Sequence, residues 1–123
     1  MKRSEINAII REAEAFMRDM NFHLPPFARW TLDEWQPVGS EAGEIVENGL
    51  GWDITDFGLG DFHKRGLLLI TLRNGNAADA AKQHGKLYCE KIMIVEANQI
   101  TPLHFHWKKM EDIINRGGSK LLV

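Results

Sequence analysis

The apolar positions divide the chain into a helical first part and an extended second part. Ile6, Ile9, Ile10, Ala13, Phe16, Met17 and Met20 recur at intervals of three and four. That spacing gathers them on one face and predicts a helix over about residues 5–20, with the stripe as its packing face. Ser4 is the candidate N-cap, and Glu5 suits the positive end of the helix dipole. Pro25-Pro26 stops any continuation and predicts an extended linker. Thr31-Leu32-Asp33-Glu34 has capping-box spacing, so a short helical turn is expected there beside Trp30 and Trp35. Ser40 to Glu47 reads as a second short helix, ended by Asn48-Gly49.

From Gly49 the period shortens. Trp52 to Phe57 alternates and reads as an edge or half-buried strand; Gly58 and Gly60 mark a turn. Leu67 to Leu72 is a nearly continuous apolar run bounded by Gly66 and Asn74-Gly75, hence a buried strand. Ala78 to Lys82 suits a helical turn. Lys86 to Glu96, rich in Ile, Met, Val and Tyr, predicts a long strand that Asn98 turns into a further strand carrying His104 and His106. The whole reads as one domain over 1–123, with a helical part to about 48 and a β part from about 49.

Composition narrows the function classes. A net charge of −2 and 26% charged residues give no footprint for nucleic acid or an acidic membrane surface, so neither is an expected partner. No apolar stretch reaches membrane-spanning length, and Met1 to Glu5 does not open a signal peptide. A cytoplasmic location is the default. The single cysteine, Cys89, cannot form an intrachain disulfide and is expected to be a buried small hydrophobe.

The candidate chemistry lies near the end of the chain. His104 and His106 are two apart, which in a strand puts both imidazoles on one face. Glu111 follows five residues after His106, where a returning strand would bring its carboxylate beside the rings. Two imidazoles and a carboxylate hold a divalent first-row metal and leave positions open for substrate. The plain alternative is a pair of surface histidines on an exposed strand face. His23 and His84 read as surface residues; His63, between Asp61 and Lys64, could line the mouth of a barrel but reads first as structural. Trp30, Trp35 and Trp52 read as core or interface residues before sugar-stacking ones.

Asn98, His104, His106, Glu111 and Gly118 resemble the first cupin motif: Gly, five residues, His-x-His, three or four residues, Glu, six residues, Gly. Asn98 replaces the first Gly and tolerates the same left-handed turn. Glu90 to Glu96 through Arg116-Gly117-Gly118, with the N-terminal helix and the Gly-rich middle, resembles the D-lyxose isomerases, a cupin family of aldose–ketose isomerases. The resemblance implies a mainly β jelly-roll barrel with an N-terminal helical extension, conversion of D-lyxose to D-xylulose, and Mn²⁺ held by His104, His106 and Glu111. It implies a further metal-ligating His that this chain lacks. In such a reaction a lysine can donate to the developing oxyanion. Lys91, Lys108 and Lys109 are candidates, with Lys109 first for its place beside Glu111 and Lys91 second. Three surface lysines are the alternative.

A cupin jelly roll needs about eight strands. About four or five are visible here, so the chain is expected to be the N-terminal part of such an enzyme and to have little activity alone. Open strand edges lead us to expect a homo-oligomer, a dimer. Two rivals use the same residues: an Fe(II) dioxygenase on a cupin fold, and a non-catalytic fragment that pairs with another chain.

Overall fold

β2, Leu67–Arg73, is the strand around which the rest is laid. The computed structural model describes residues 1–81 and 85–123. β1, Gly51–Thr55, and β3, Glu90–Ile94, flank β2 in an antiparallel sheet of order β1-β2-β3. Trp52 pairs with Ile70 on one side, and Ile92 pairs with Ile70 on the other. The central position explains why the Leu67–Leu72 run is almost continuously apolar. Ile70 has 0% exposure, and Leu68, Leu69 and Thr71 are buried on the two faces.

α1, Arg3–Asp19, packs across one face of this sheet. Ile9, Ala13 and Met17, spaced by four, are its buried residues. Ile9 and Ala13 meet Phe62 and Leu68, while Met17 meets Ala28 and Ile70. Trp52 and Ile94 close both clusters, and the Trp52 indole N–H donates to Ala28 O at 3.0 Å. Burying a side chain the size of Ile70 is worth about 1.5–3 kcal/mol. The stripe is narrower than the spacing predicts, for Phe16 and Met20 are exposed. Ser4 is not the cap. The cap is Lys2, two residues earlier, and the Glu5 carboxylate accepts from the Lys2 N–H at 3.2 Å.

Other expectations meet the structure unevenly. Pro26–Arg29 is a 3-10 turn and not an extended linker, since a proline with fixed φ starts such a turn well. α2, Leu32–Trp35, carries the expected capping box, in which Glu34 N–H donates to Thr31 Oγ1 and Thr31 N–H to the Glu34 carboxylate. A 3-10 turn at Gly39–Ala42 runs into α3, Gly43–Glu47. α4 is Ala77–Ala80; Lys82, expected to end it, and the reading of His84 lie outside the described residues.

The β part is smaller than expected. α1 alone has 17 residues, while the strands have 5, 7 and 5, so the described chain is not mainly β. The small sheet with its helices is consistent with part of a cupin-like domain. β3 starts at Glu90 instead of Lys86, because Arg73, its pairing partner, is the last residue of β2. Cys89 falls just before the strand and is exposed, not buried. Most telling, 101–123 contains no helix or strand, so His104 and His106 do not ride on a strand. No β-partner lies alongside them among the described residues; the chain makes one parallel bridge, Arg65 to Ile100, and then leaves the sheet.

Candidate metal centre

Asn98 makes the turn that leads to the site, with φ at 64°. An asparagine accepts this left-handed geometry, which is the backbone reason for its place in the motif. Thr101 Oγ1 then donates to Gly66 O at 3.2 Å, the last tie before the histidines.

Strand pairing is absent here among the described residues, yet some of the candidate side chains still lie close together. The His104 and His106 rings pack edge to face, with centroids 5.0 Å apart. His106 Nε2 is 3.2 Å from Glu111 Oε2, an ion pair when the ring is protonated. Lys109 Nζ donates to Glu111 Oε1 at 2.7 Å. One carboxylate thus faces an imidazole with one oxygen and an ammonium with the other. The hydrogen bond from Lys109, with help from its charge and from the two histidines, holds the Glu111 carboxyl below the usual carboxylate range.

His104 is turned differently. Its Nδ1 is 2.9 Å from Pro102 O. A ring that donates Nδ1–H to a carbonyl keeps Nε2 as its free lone pair, the arrangement common among metal-ligating histidines. In type, the set of two imidazole nitrogens and a carboxylate oxygen fits a divalent first-row metal. In placement, only His106 and Glu111 stand donor to donor. Among the described residues no three His, Cys, Asp or Glu side chains are gathered closely enough to hold an ion together. His104 instead packs edge to face with the His106 ring.

The candidate lysines separate. Lys109 is in the cluster. Lys91 lies on β3, pairs with Thr71 and faces solvent, and no hydrogen bond or ion pair among the described residues joins it to the histidines. Lys108 is exposed. The histidine–carboxylate pair at His63 and Glu96, 2.8 Å apart, was not readable from the sequence, since 33 residues separate its members. His23 is exposed, as expected, and borders a cleft with Phe22, Leu24 and Arg73. Around the site, Leu103, Phe105, Trp107 and Met110 are all exposed. No helix among the described residues is long and apolar enough to cross a membrane.

Comparison with known proteins gives the chain its relatives. A family model described as D-lyxose isomerase matches residues 1–123. The chain is 48% identical over 124 residues to a D-lyxose/D-mannose isomerase of Escherichia coli O157:H7, a match covering 100% of this chain and 54% of that protein. It is 46% identical over 124 residues to a D-lyxose/D-mannose isomerase of Serratia proteamaculans, with the same two coverages. The chain spans about half the length of the curated relatives it matches. A match over every residue, including the helical part, the sheet and the His104–Glu111 segment, shows that the chain belongs to the D-lyxose isomerase family.

Proposed function

We propose that this chain carries the metal-binding part of a metal-dependent aldose–ketose isomerase acting on D-lyxose, with D-mannose as a second substrate of the same configuration at C2. The observation that carries the site is the shared Glu111 carboxylate, with His106 at 3.2 Å and Lys109 at 2.7 Å. The reaction class comes from the whole-chain likeness to relatives named for both sugars. Nothing in the comparisons favours an oxygenase.

His104, His106 and Glu111 would hold the metal, and manganese is the ion the family resemblance implies. When bound, such an ion polarises the sugar carbonyl and hydroxyl as a Lewis acid, which eases loss of the C2 proton. Lys109 keeps Glu111 ionised by donating to Oε1, so the carboxylate is ready as a ligand. Its remaining N–H donors are free to turn toward a sugar oxygen that gains charge as the proton moves from C2 to C1. The exposed Trp107 and Phe105 rings, 4.8 Å apart, offer an apolar face against which a sugar ring or chain can lie. Lys91, on β3 opposite Thr71, has no part in this arrangement.

The test uses this chain alone and a chimera in which it replaces the matching 54% of the Escherichia coli relative. With Mn²⁺ supplied, the chimera is expected to convert D-lyxose to D-xylulose and D-mannose to D-fructose, and the chain alone to turn over little. A folded chimera that loads manganese and isomerises neither sugar contradicts the reading.

A further inference from the structure

Two loops meet just before the histidine segment. Ile100 N–H donates to Lys64 O at 3.0 Å, and Gly66 N–H donates to Ile100 O at 3.2 Å. Between them the Gln99 side chain is buried, donating to Phe62 O at 2.7 Å and accepting from the Glu96 N–H at 3.1 Å. The approach is close. A Cβ on Gly66 would lie 2.3 Å from Phe62 O, so only glycine fits. This junction of 61–66 with 96–101 ends three residues before His104. Whatever fixes it fixes the base from which the His104–Glu111 segment projects.

At its outer lip stands an ion pair. His63 Nδ1 lies 2.8 and 3.1 Å from the two Glu96 carboxylate oxygens. Glu12 on α1 and Asp61 in the same loop also act on the ring, and all three charges are negative. The neighbouring Lys64 N–H is held by Asp61 Oδ1 at 3.2 Å. The pair ties the two loops together on their solvent side, where backbone bonds alone would open most readily.

We propose that His63 and Glu96 are positioning residues for the metal-binding segment. Their ion pair latches the 61–66 loop to the 96–101 loop and so holds His104, His106 and Glu111 where their donors can converge. The role rests on the metal reading of those three residues. Neither His63 nor Glu96 touches a reacting atom.

The latch has a distinctive pH sign. The hydrogen bond and charge of Glu96 raise the His63 pKa above its ordinary 6.5. A raised pKa means that the pair is complete below that ordinary value and is lost as pH rises through the folded value. Metal binding to imidazole in general weakens as pH falls, because only the neutral ring binds metal, which is the opposite direction. The two effects are therefore separable in one titration.

The experiment measures Mn²⁺ affinity of this chain as wild type, Glu96→Gln and His63→Asn, at about pH 6 and about pH 8.5. Hydrogen exchange of the Ile100 N–H is followed in the metal-free proteins. Gln and Asn keep a hydrogen bond and remove the charge. At pH 6 each variant is expected to bind manganese about two- to five-fold more weakly than wild type and to exchange Ile100 faster, as suits an exposed pair. At the higher pH the differences are expected to vanish. Equal affinities at pH 6 overturn the proposal. So does a deficit of the same size at both pH values, which would be ordinary structural damage. A wild-type chain that takes up no manganese at either pH overturns the metal reading and the positioning role with it.

Discussion

At the residue scale, Glu111 links His106 and Lys109. Its carboxyl is held below its ordinary 4.5, first by the Lys109 hydrogen bond. A depressed pKa keeps the ionised form present to lower pH, so the pairing is complete above the ordinary value and is lost as pH falls through the folded one. Lys109→Ala is expected to move the Glu111 titration upward toward 4.5, read by carbon NMR of the side-chain carboxyl; an unmoved titration contradicts the pairing. Asp56 behaves likewise. Its carboxylate accepts from the Gly58 N–H at 3.0 Å and the Gly60 N–H at 3.1 Å, and its pKa is lowered. Those glycines sit at φ of 73° and 77°, which is what lets both N–H groups turn toward one carboxylate. Asp56→Asn is expected to lower Tm at neutral pH, with the gap closing as pH falls below about 4. A gap that persists in acid would mean that the carboxylate charge is not what holds the turn. The sequence marked the glycine turn, but not Asp56, because an aspartate beside glycines is common in loops that cap nothing.

At the element scale, the strand most legible in the sequence is also the one the core depends on. Leu67–Leu72 was readable because a central strand is apolar on both faces and bounded by turn residues. Ile70→Ala is expected to cost about 2–5 kcal/mol of stability in denaturant unfolding, since its side chain is wholly enclosed between α1 and the sheet. Gly66→Ala adds a methyl against the Phe62 carbonyl and is expected to cost about 1–3 kcal/mol. A loss below about 0.5 kcal/mol at either position would contradict the packing described, since that is the range of ordinary surface changes. The histidine segment was misread for the complementary reason. Alternation says which residues share a face if a strand forms, and a strand forms only where a partner supplies hydrogen bonds. β3 stops at Ile94, and 101–107 has no such partner among the described residues. The His–Glu proximity nevertheless emerged, because it depends on a short local excursion between residues 106 and 111 and not on strand register.

At the scale of the whole molecule, the chain leaves much apolar surface uncovered. Leu103, Trp107, Met110, Ile114 and Leu122 are more than two-thirds exposed, and the outer edges of β1 and β3 make no ladder bonds among the described residues. Surface of that kind marks a contact waiting to be made. The chain is therefore expected to associate as its concentration rises, with light scattering giving a mass above that of one chain. A monomer across the whole accessible range would show that the segment folds back on itself. The three-stranded sheet with its helices is consistent with part of the cupin-like domain read from the motif, whereas the balance of helix and strand was not legible, since 3-10 turns and short helices carry little periodicity.

The central claim is that His104, His106 and Glu111 are one metal site, and its most direct test is Mn²⁺ titration followed by electron paramagnetic resonance. Wild-type chain is compared with His104→Ala, His106→Ala and Glu111→Gln. One manganese per chain is expected in wild type, and each substitution is expected to weaken it by at least about tenfold, since each removes a ligand. Wild-type affinity retained in all three variants would contradict the claim.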